Sequence, residues 1–180
     1  MKNVEVEVRS FISDKEYKKL LKKLKKEAEF LDLIREKTVY FKVPGGGDLR
    51  LRKNGKYAFI ICKEGKIHDY FREEIEIKCQ KEDFEKIKKL FSKLGLKAKI
   101  RWFRKRRIYR WKGVKLFLDD TKGYGKIIEL EKITRAKERK KIHKQLENKL
   151  KSLGIKITPK KVFEEKFNYY KNNWRKILKR

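Results

Sequence analysis

The chain has 180 residues, with 55 Lys or Arg against 25 Asp or Glu, a formal charge of +30 at pH 7. Its hydrophobic share of 39%, with 12% aromatic, is enough to bury a core and excludes a wholly disordered basic tail. No run approaches the ~18 apolar residues of a membrane span. The opening MKNVEVEVRS carries acids where a signal peptide needs an apolar stretch, so a cytoplasmic protein with no membrane partner is expected.

In chain order, Val4-Glu5-Val6-Glu7-Val8-Arg9 alternates strictly and predicts a strand with Val on one face and charge on the other. Ser13-Asp-Lys-Glu16 is a capping-box signal, and Tyr17, Leu20, Leu21 and Leu24 then share a helix face. Asp48-Leu-Arg50-Leu-Arg52 is a basic alternating strand, followed by Tyr57 to Lys63 and by Glu74-Ile-Glu76-Ile-Lys78. A second helix starts near Lys81, with Phe84, Ile87, Leu90, Phe91 and Leu94 as its stripe and Gly95 as its stop. Lys105, Arg107 and Tyr109 share a strand face, Val114 to Asp119 is a further strand, and Glu129 and Glu131 share a face in the next. A third helix carries Ile142, Leu146, Leu150 and Leu153 up to Gly154. The last helix opens at Thr158-Pro159, read as an N-cap with Pro in the first helical position, and bears Val162, Phe163, Phe167, Tyr170, Trp174 and Ile177 on one side.

The first two E-x-E strands are each followed by a Lys-rich amphipathic helix, a weak internal repeat that a third E-x-E strand and helix completes. One such strand needs no function, because solvated charge on a sheet face is ordinary. Three of them beside two basic strands call for more. The helices must cover the apolar faces, so the charged faces turn the other way. A sheet curled into a barrel would gather Glu5, Glu7, Glu74, Glu76, Asp119, Glu129 and Glu131 beside Arg9, Arg50, Arg52, Lys63, Arg72, Lys105 and Arg107. One close carboxylate pair costs ~4 kcal/mol at an effective dielectric of 20. Mg²⁺ or Mn²⁺ would relieve that repulsion, and the cations would hold phosphate oxygens. Such a combination suits phosphoryl or nucleotidyl transfer, whose catalysis is mostly positioning and charge neutralisation. Cys62, Cys79, His68 and His143 have no zinc-finger spacing and are read as reduced thiols and isolated histidines.

These blocks resemble the CYTH superfamily, the triphosphate tunnel metalloenzymes, which includes class IV adenylyl cyclases, thiamine triphosphatases and inorganic triphosphatases. The resemblance rests on Glu5-Val-Glu7-Val-Arg9, DLRLR at Asp48 to Arg52, CKEG around Lys63, REEIE at Arg72 to Glu76, KRR at Lys105 to Arg107, and LDDTKGYGKIIELE at Leu118 to Glu131. It implies an α+β fold: a closed eight-stranded antiparallel β-barrel, a tunnel with helices packed outside. The resemblance covers 1–155 as the tunnel domain; the amphipathic helix over 156–180 lies outside it, and its aromatic stripe is expected to dock on the barrel or on a second copy, in a monomer or homodimer, with contact to nucleic acid as the alternative. Glu5, Glu7, Glu129 and Glu131 would bind Mg²⁺ or Mn²⁺, with Glu74, Glu76 and Asp119 assisting. Arg50, Arg52, Lys63, Arg72, Lys105 and Arg107 would hold the triphosphate. Arg9 stands where the family usually has Lys; a group that stays protonated can clamp or orient but cannot act as a base.

Three functions follow. The first is a class IV adenylyl cyclase making cyclic AMP and pyrophosphate from ATP. The second is a triphosphatase acting on thiamine triphosphate, tripolyphosphate or a nucleotide. The third is a non-catalytic barrel binding polyphosphate or RNA, nucleic acid being the secondary partner.

Overall fold

The computed structural model describes residues 3–44, 47–63 and 74–179. Its strands are β1 (Asn3–Ile12), β2 (Glu29–Phe41), β3 (Asp48–Lys53), β4 (Tyr57–Lys63), β5 (Glu74–Gln80), β6 (Ala98–Trp111), β7 (Val114–Thr121) and β8 (Gly125–Arg135). Its helices are α1 (Asp14–Glu27), α2 (Phe84–Lys93), α3 (Arg139–Ser152) and α4 (Lys160–Lys179). The strands form one sheet in the order β1-β8-β7-β6-β2-β3-β4-β5, antiparallel at the described pairings. The expected α+β class and eight antiparallel strands are present. The expected closure is not: β1 and β5 end the order, with no ladder between them among the described residues. No helix among the described residues is long and apolar enough to cross a membrane.

The chain divides into two compact units. One comprises Met1–Leu33 and Lys105–Phe163, the other Ile34–Arg104 and Glu164–Arg180.

In the first unit the alternation of β1 does what period-two side chains must. Val6 and Val8 enter a core with Leu116 and Leu118 of β7, Ile128 and Leu130 of β8, and Tyr109 and Trp111 of β6. Helices α1 and α3 cover that face through Leu20, Leu24, Leu146 and Leu150. Ser13 caps α1: its Oγ accepts from the Glu16 amide at 3.2 Å, and Glu16 Oε2 accepts from the Ser13 amide at 2.7 Å. Helix α3 stops before Gly154, whose φ of 77° is a conformation that side chains with a Cβ resist. Leu24 is fully buried, so Leu24→Ala costs about 2–5 kcal/mol.

Thr158 is not spent on the helix that follows it. Its hydroxyl accepts from the Phe11 amide at 3.0 Å, and its own amide donates to Ser10 Oγ at 2.9 Å. The segment before α4 is thus fastened to β1. Buried Ser10 completes the joint by donating to the Lys156 carbonyl at 2.6 Å.

In the second unit, α2 packs Phe84, Ile87 and Phe91 on Val39, Phe41, Leu51 and Ala58. Helix α4 docks here through Tyr170, which donates to the Arg101 carbonyl, and Trp174, which donates to that of Lys99, both at 2.8 Å. Strand β2 has no counterpart among the predicted strands. Its burial runs exposed for four residues and then mixed, so no period-two signal marks it; pairing with β3 stabilises it instead.

Candidate functional site

Each unit carries one charged sheet face, opposite its apolar core. In the first, Glu7 lies directly across from Glu131 and Arg9 from Glu129 in the β1–β8 ladder. The β7–β8 ladder continues these rows, with Lys115 opposite Glu131 and Phe117 opposite Glu129. Asp119 shares the face, opposite Ile127. Register alone therefore brings Glu5, Glu7, Arg9, Asp119, Glu129 and Glu131 onto one surface, as the sequence predicts.

The acids of this face respond to burial and to neighbouring charge. Burial first, and the Glu129 carboxylate second, push Glu7 up to about 7, against the pull of Arg9 and Arg106. Burial and then Glu5 raise Glu131. Arg9 Nη1 stands 3.9 Å from Glu7, and Lys115 Nζ 3.9 Å from Glu131.

The cation that organises this face is Arg106, which the sequence reading left out. Its Nε and Nη2 donate to Asp119 Oδ1 and Oδ2, each at 2.7 Å, and Nη2 also reaches Glu129 at 3.3 Å. The guanidinium lies 4.4 Å from the Phe117 ring centroid. Both oxygens of buried Asp119 accept from Arg106, so this carboxylate steadies the guanidinium.

Arg107 points away from the charged face. Its Nη1 donates to the Tyr17 hydroxyl of α1 at 2.6 Å, on the helix-covered side with Tyr109 and Trp111, and alternation places Lys105 with it. The assignment of Lys105 and Arg107 to the charged face is therefore corrected to Arg104 and Arg106. Four consecutive cations give no polarity contrast from which to read a strand's phase. The usable signal was Tyr109 and Trp111: an aromatic pair at spacing two marks the core side, and counting back from it reaches 107 and 105.

In the second unit, Asp48, Arg50 and Arg52 share a face with Lys63, which lies opposite Asp48 in the β3–β4 ladder. Arg50 Nε donates to buried Asp48 at 2.8 Å, with Nη2 on the other oxygen, while its guanidinium lies 4.7 Å from the Tyr40 ring centroid. Arg52 Nη2 donates to Glu76 at 2.9 Å. Its Nε is buried and carries no hydrogen bond, 4.0 Å from Glu36. Glu36, on the unpredicted β2, accepts from Arg104 Nε at 2.8 Å. Glu76 is thus a partner of Arg52 within this unit. Arg72 lies outside the described residues, as does the side chain of Glu74.

The first unit's donor set is all oxygen, and its carboxylates raise one another's affinity for protons, which is what a divalent cation would offset. Among the described residues no three acids, Cys or His form a preformed metal cage. A hard cation here would need other oxygens to complete its shell, as Mg²⁺ habitually takes from water and phosphate.

The CYTH domain family matches residues 3–160. The chain belongs to the CYTH family. A Methanocaldococcus jannaschii protein named as a candidate adenylate cyclase is 33% identical over 165 residues, covering 84% of this chain and 90% of its own. The structure of a Pyrococcus horikoshii protein is similar at TM-score 0.70 and 28% identity, over 87% of this chain and 96% of that one. A Hippeastrum protein, titled a candidate adenylyl cyclase with a dominant triphosphatase activity, shares the fold at TM-score 0.62 and 21% identity, over 86% and 89%. The CYTH match begins at β1 and ends at the start of α4, so it takes in both charged faces and leaves most of α4 outside.

Proposed function

We propose that this CYTH protein is a divalent-cation-dependent enzyme that acts on a linear triphosphate. The observation that carries the reading is the ladder pairing of Glu7 with Glu131 beside Arg9 and Arg106: concentrated carboxylate oxygen and fixed guanidinium on one face. Glu5, Glu7, Glu129 and Glu131 would hold Mg²⁺ or Mn²⁺. The bound cation supplies charge neutralisation at the phosphate oxygens.

The chain's own part is binding and orientation. Arg50, Arg52, Arg104 and Arg106 present planar donors that suit phosphate oxygens, and all four are pre-set by carboxylates, which lowers the entropy lost on clamping. Arg52 Nε is an unspent donor in this set. Lys63 adds a point charge. Arg9, permanently protonated, orients rather than abstracts a proton.

Hydrolysis is the first reaction, because a polyphosphate clamp and an attacking water suffice for it. The oxygen of water bonds to the terminal phosphorus as the bridging P–O bond breaks, leaving diphosphate and orthophosphate from tripolyphosphate. The second reading, cyclisation of ATP to cyclic AMP and pyrophosphate, is favoured by the name of the relative at 33% identity. Purified protein incubated with Mg²⁺ or Mn²⁺ and either tripolyphosphate or ATP decides between them by product identification. Diphosphate and orthophosphate support hydrolysis, and cyclic AMP with pyrophosphate supports cyclisation. Absence of turnover of both substrates overturns the enzyme reading.

A further inference from the structure

Between Tyr17 and Glu27, α1 consists of lysine and leucine alone: Lys18, Lys19, Lys22, Lys23, Lys25 and Lys26 with Leu20, Leu21 and Leu24. The leucines pack toward the sheet, and every lysine of the run is exposed except half-buried Lys23. The acids of α1 sit at its ends and are engaged there. Asp14 meets Lys126 at 2.8 Å, Glu16 accepts from the Ser13 amide at 2.7 Å, and Glu27 lies 3.9 Å from Lys23. Helix α3 covers the same sheet face and also turns lysine outward: Lys140, Lys141, Lys144 and Lys151 are exposed, and Glu147 is the sole acid in the helix. Lysines four apart on a helix repel one another, and Lys18, Lys22 and Lys26 form such a row. Helix α2, which answers to α1 in the internal repeat, offsets its lysines instead: Lys86 pairs with Asp83 at 3.2 Å, and Lys88 with Glu85.

We propose that the outward side of α1, extended by that of α3, is a docking surface for double-stranded DNA, gripped through its phosphates without regard to sequence. The surface lies on the helix-covered side of the first unit, away from Glu7 and Glu131, and stands independently of the enzyme reading. A polyanion relieves the repulsion along the lysine row, and counterions released from the duplex drive the binding. Lys18 to Lys26 spans about 12 Å of helix axis, a length over which a DNA duplex carries about seven phosphates. Single strands bind by stacking bases on aromatic rings, and α1 and α3 hold no Phe, Tyr or Trp except buried Tyr17. An anionic membrane takes up the apolar face of an amphipathic helix, and here that face is buried on the sheet. Helix α1 has no Arg, Asn or Gln to read base edges, so its ammonium groups meet phosphate. Nor has it Ser, Thr, Asn or Gln for the 2′-hydroxyls by which duplex RNA is recognised.

Titration of the full chain with two DNA duplexes of about 20 base pairs and unrelated sequence, from about 0.05 to 0.2 M salt, tests the surface. Both duplexes are expected to bind equally. Lys18→Gln/Lys22→Gln/Lys26→Gln should weaken binding at least about tenfold and flatten the log–log salt slope by about 2–3, at about 0.9 per lost phosphate contact. Its Tm should not fall, because the substitutions remove repulsion at exposed positions, so lost binding is not lost folding. The control, Lys86→Gln/Lys89→Gln/Lys93→Gln on α2, removes the same charge from exposed lysines and should change affinity less than about twofold. Equal losses in the two triple variants would assign binding to net charge and overturn the docking surface. Failure of the wild-type chain to bind duplex DNA, tighter binding of single-stranded DNA or duplex RNA, or a clear preference between the two sequences would overturn it as well. Tripolyphosphate turnover is expected to be the same in both triple variants as in the wild type, so the failure of one reading is distinguishable from the failure of the other.

Discussion

Removing the Arg106 guanidinium tests the organisation of the charged face more directly than any change to the acids. Arg106 makes two 2.7 Å bonds to Asp119 and a 3.3 Å bond to Glu129, and all three side chains are largely buried. At an effective dielectric of ~20, a charge pair at that separation is worth about 6 kcal/mol before solvation is counted. Desolvation of both partners offsets much of this, yet deleting one partner leaves the other buried with its charge uncompensated, which costs about 3–5 kcal/mol. Arg106→Gln is therefore expected to lose about 3 kcal/mol, a fall in Tm of about 6–12 °C for a chain of this size. Arg106→Lys should fall between, because a point charge cannot reproduce the two-pronged contact. Urea unfolding of both variants and of Arg106→Gln/Asp119→Asn provides the measurement. The double variant should recover at least about 1 kcal/mol, since it removes the stranded carboxylate along with its partner. A loss below about 0.5 kcal/mol in Arg106→Gln, or strictly additive losses in the double variant, would refute the reasoning.

Two further outcomes follow from the same geometry. Glu7 has a folded-state pKa raised from 4.5 to about 7, so the folded chain binds that proton more tightly than the unfolded one. Its ionisation accordingly erodes stability as pH rises through that window, and Mg²⁺ or Mn²⁺ binding should strengthen across the same window with release of protons. Calorimetry in two buffers of different ionisation enthalpy measures that release, and Glu7→Gln should abolish most of it. Arg107 and Arg104 should separate: Arg107→Gln is expected to lower stability by about 1–3 kcal/mol through the Tyr17 hydroxyl while keeping kcat/KM, whereas Arg104→Gln should reduce kcat/KM at least tenfold. Equal kinetic losses in both would contradict the face assignment.

The identity of most elements was legible because β1, β3 and β5 alternate cleanly, β8 does so over its E-x-E, and α1, α2, α3 and α4 carry apolar stripes with recognisable starts or stops. Alternation also placed Glu5, Glu7, Glu129 and Glu131 on one face, because a period of two leaves each side chain only two choices. That economy fails where the sequence gives no contrast. In the run Arg104-Lys105-Arg106-Arg107 the phase was set by Tyr109 and Trp111 joining the core, so the site received Arg104 and Arg106. Glu36 went unnoticed because β2 exists by pairing rather than by pattern.

The sequence by itself thus determined the family, through its motifs, and with that resemblance the expectation of eight antiparallel strands; residue type and local period determined the chemistry on offer, carboxylate oxygen with arginine. Only the tertiary structure decided which cations serve that face, that Asp119 is bound to Arg106, and that α4 reaches Arg9 through Phe163. Those contacts join residues as far apart as positions 9 and 163, and no local pattern encodes a distance between segments that meet only after the sheet has formed.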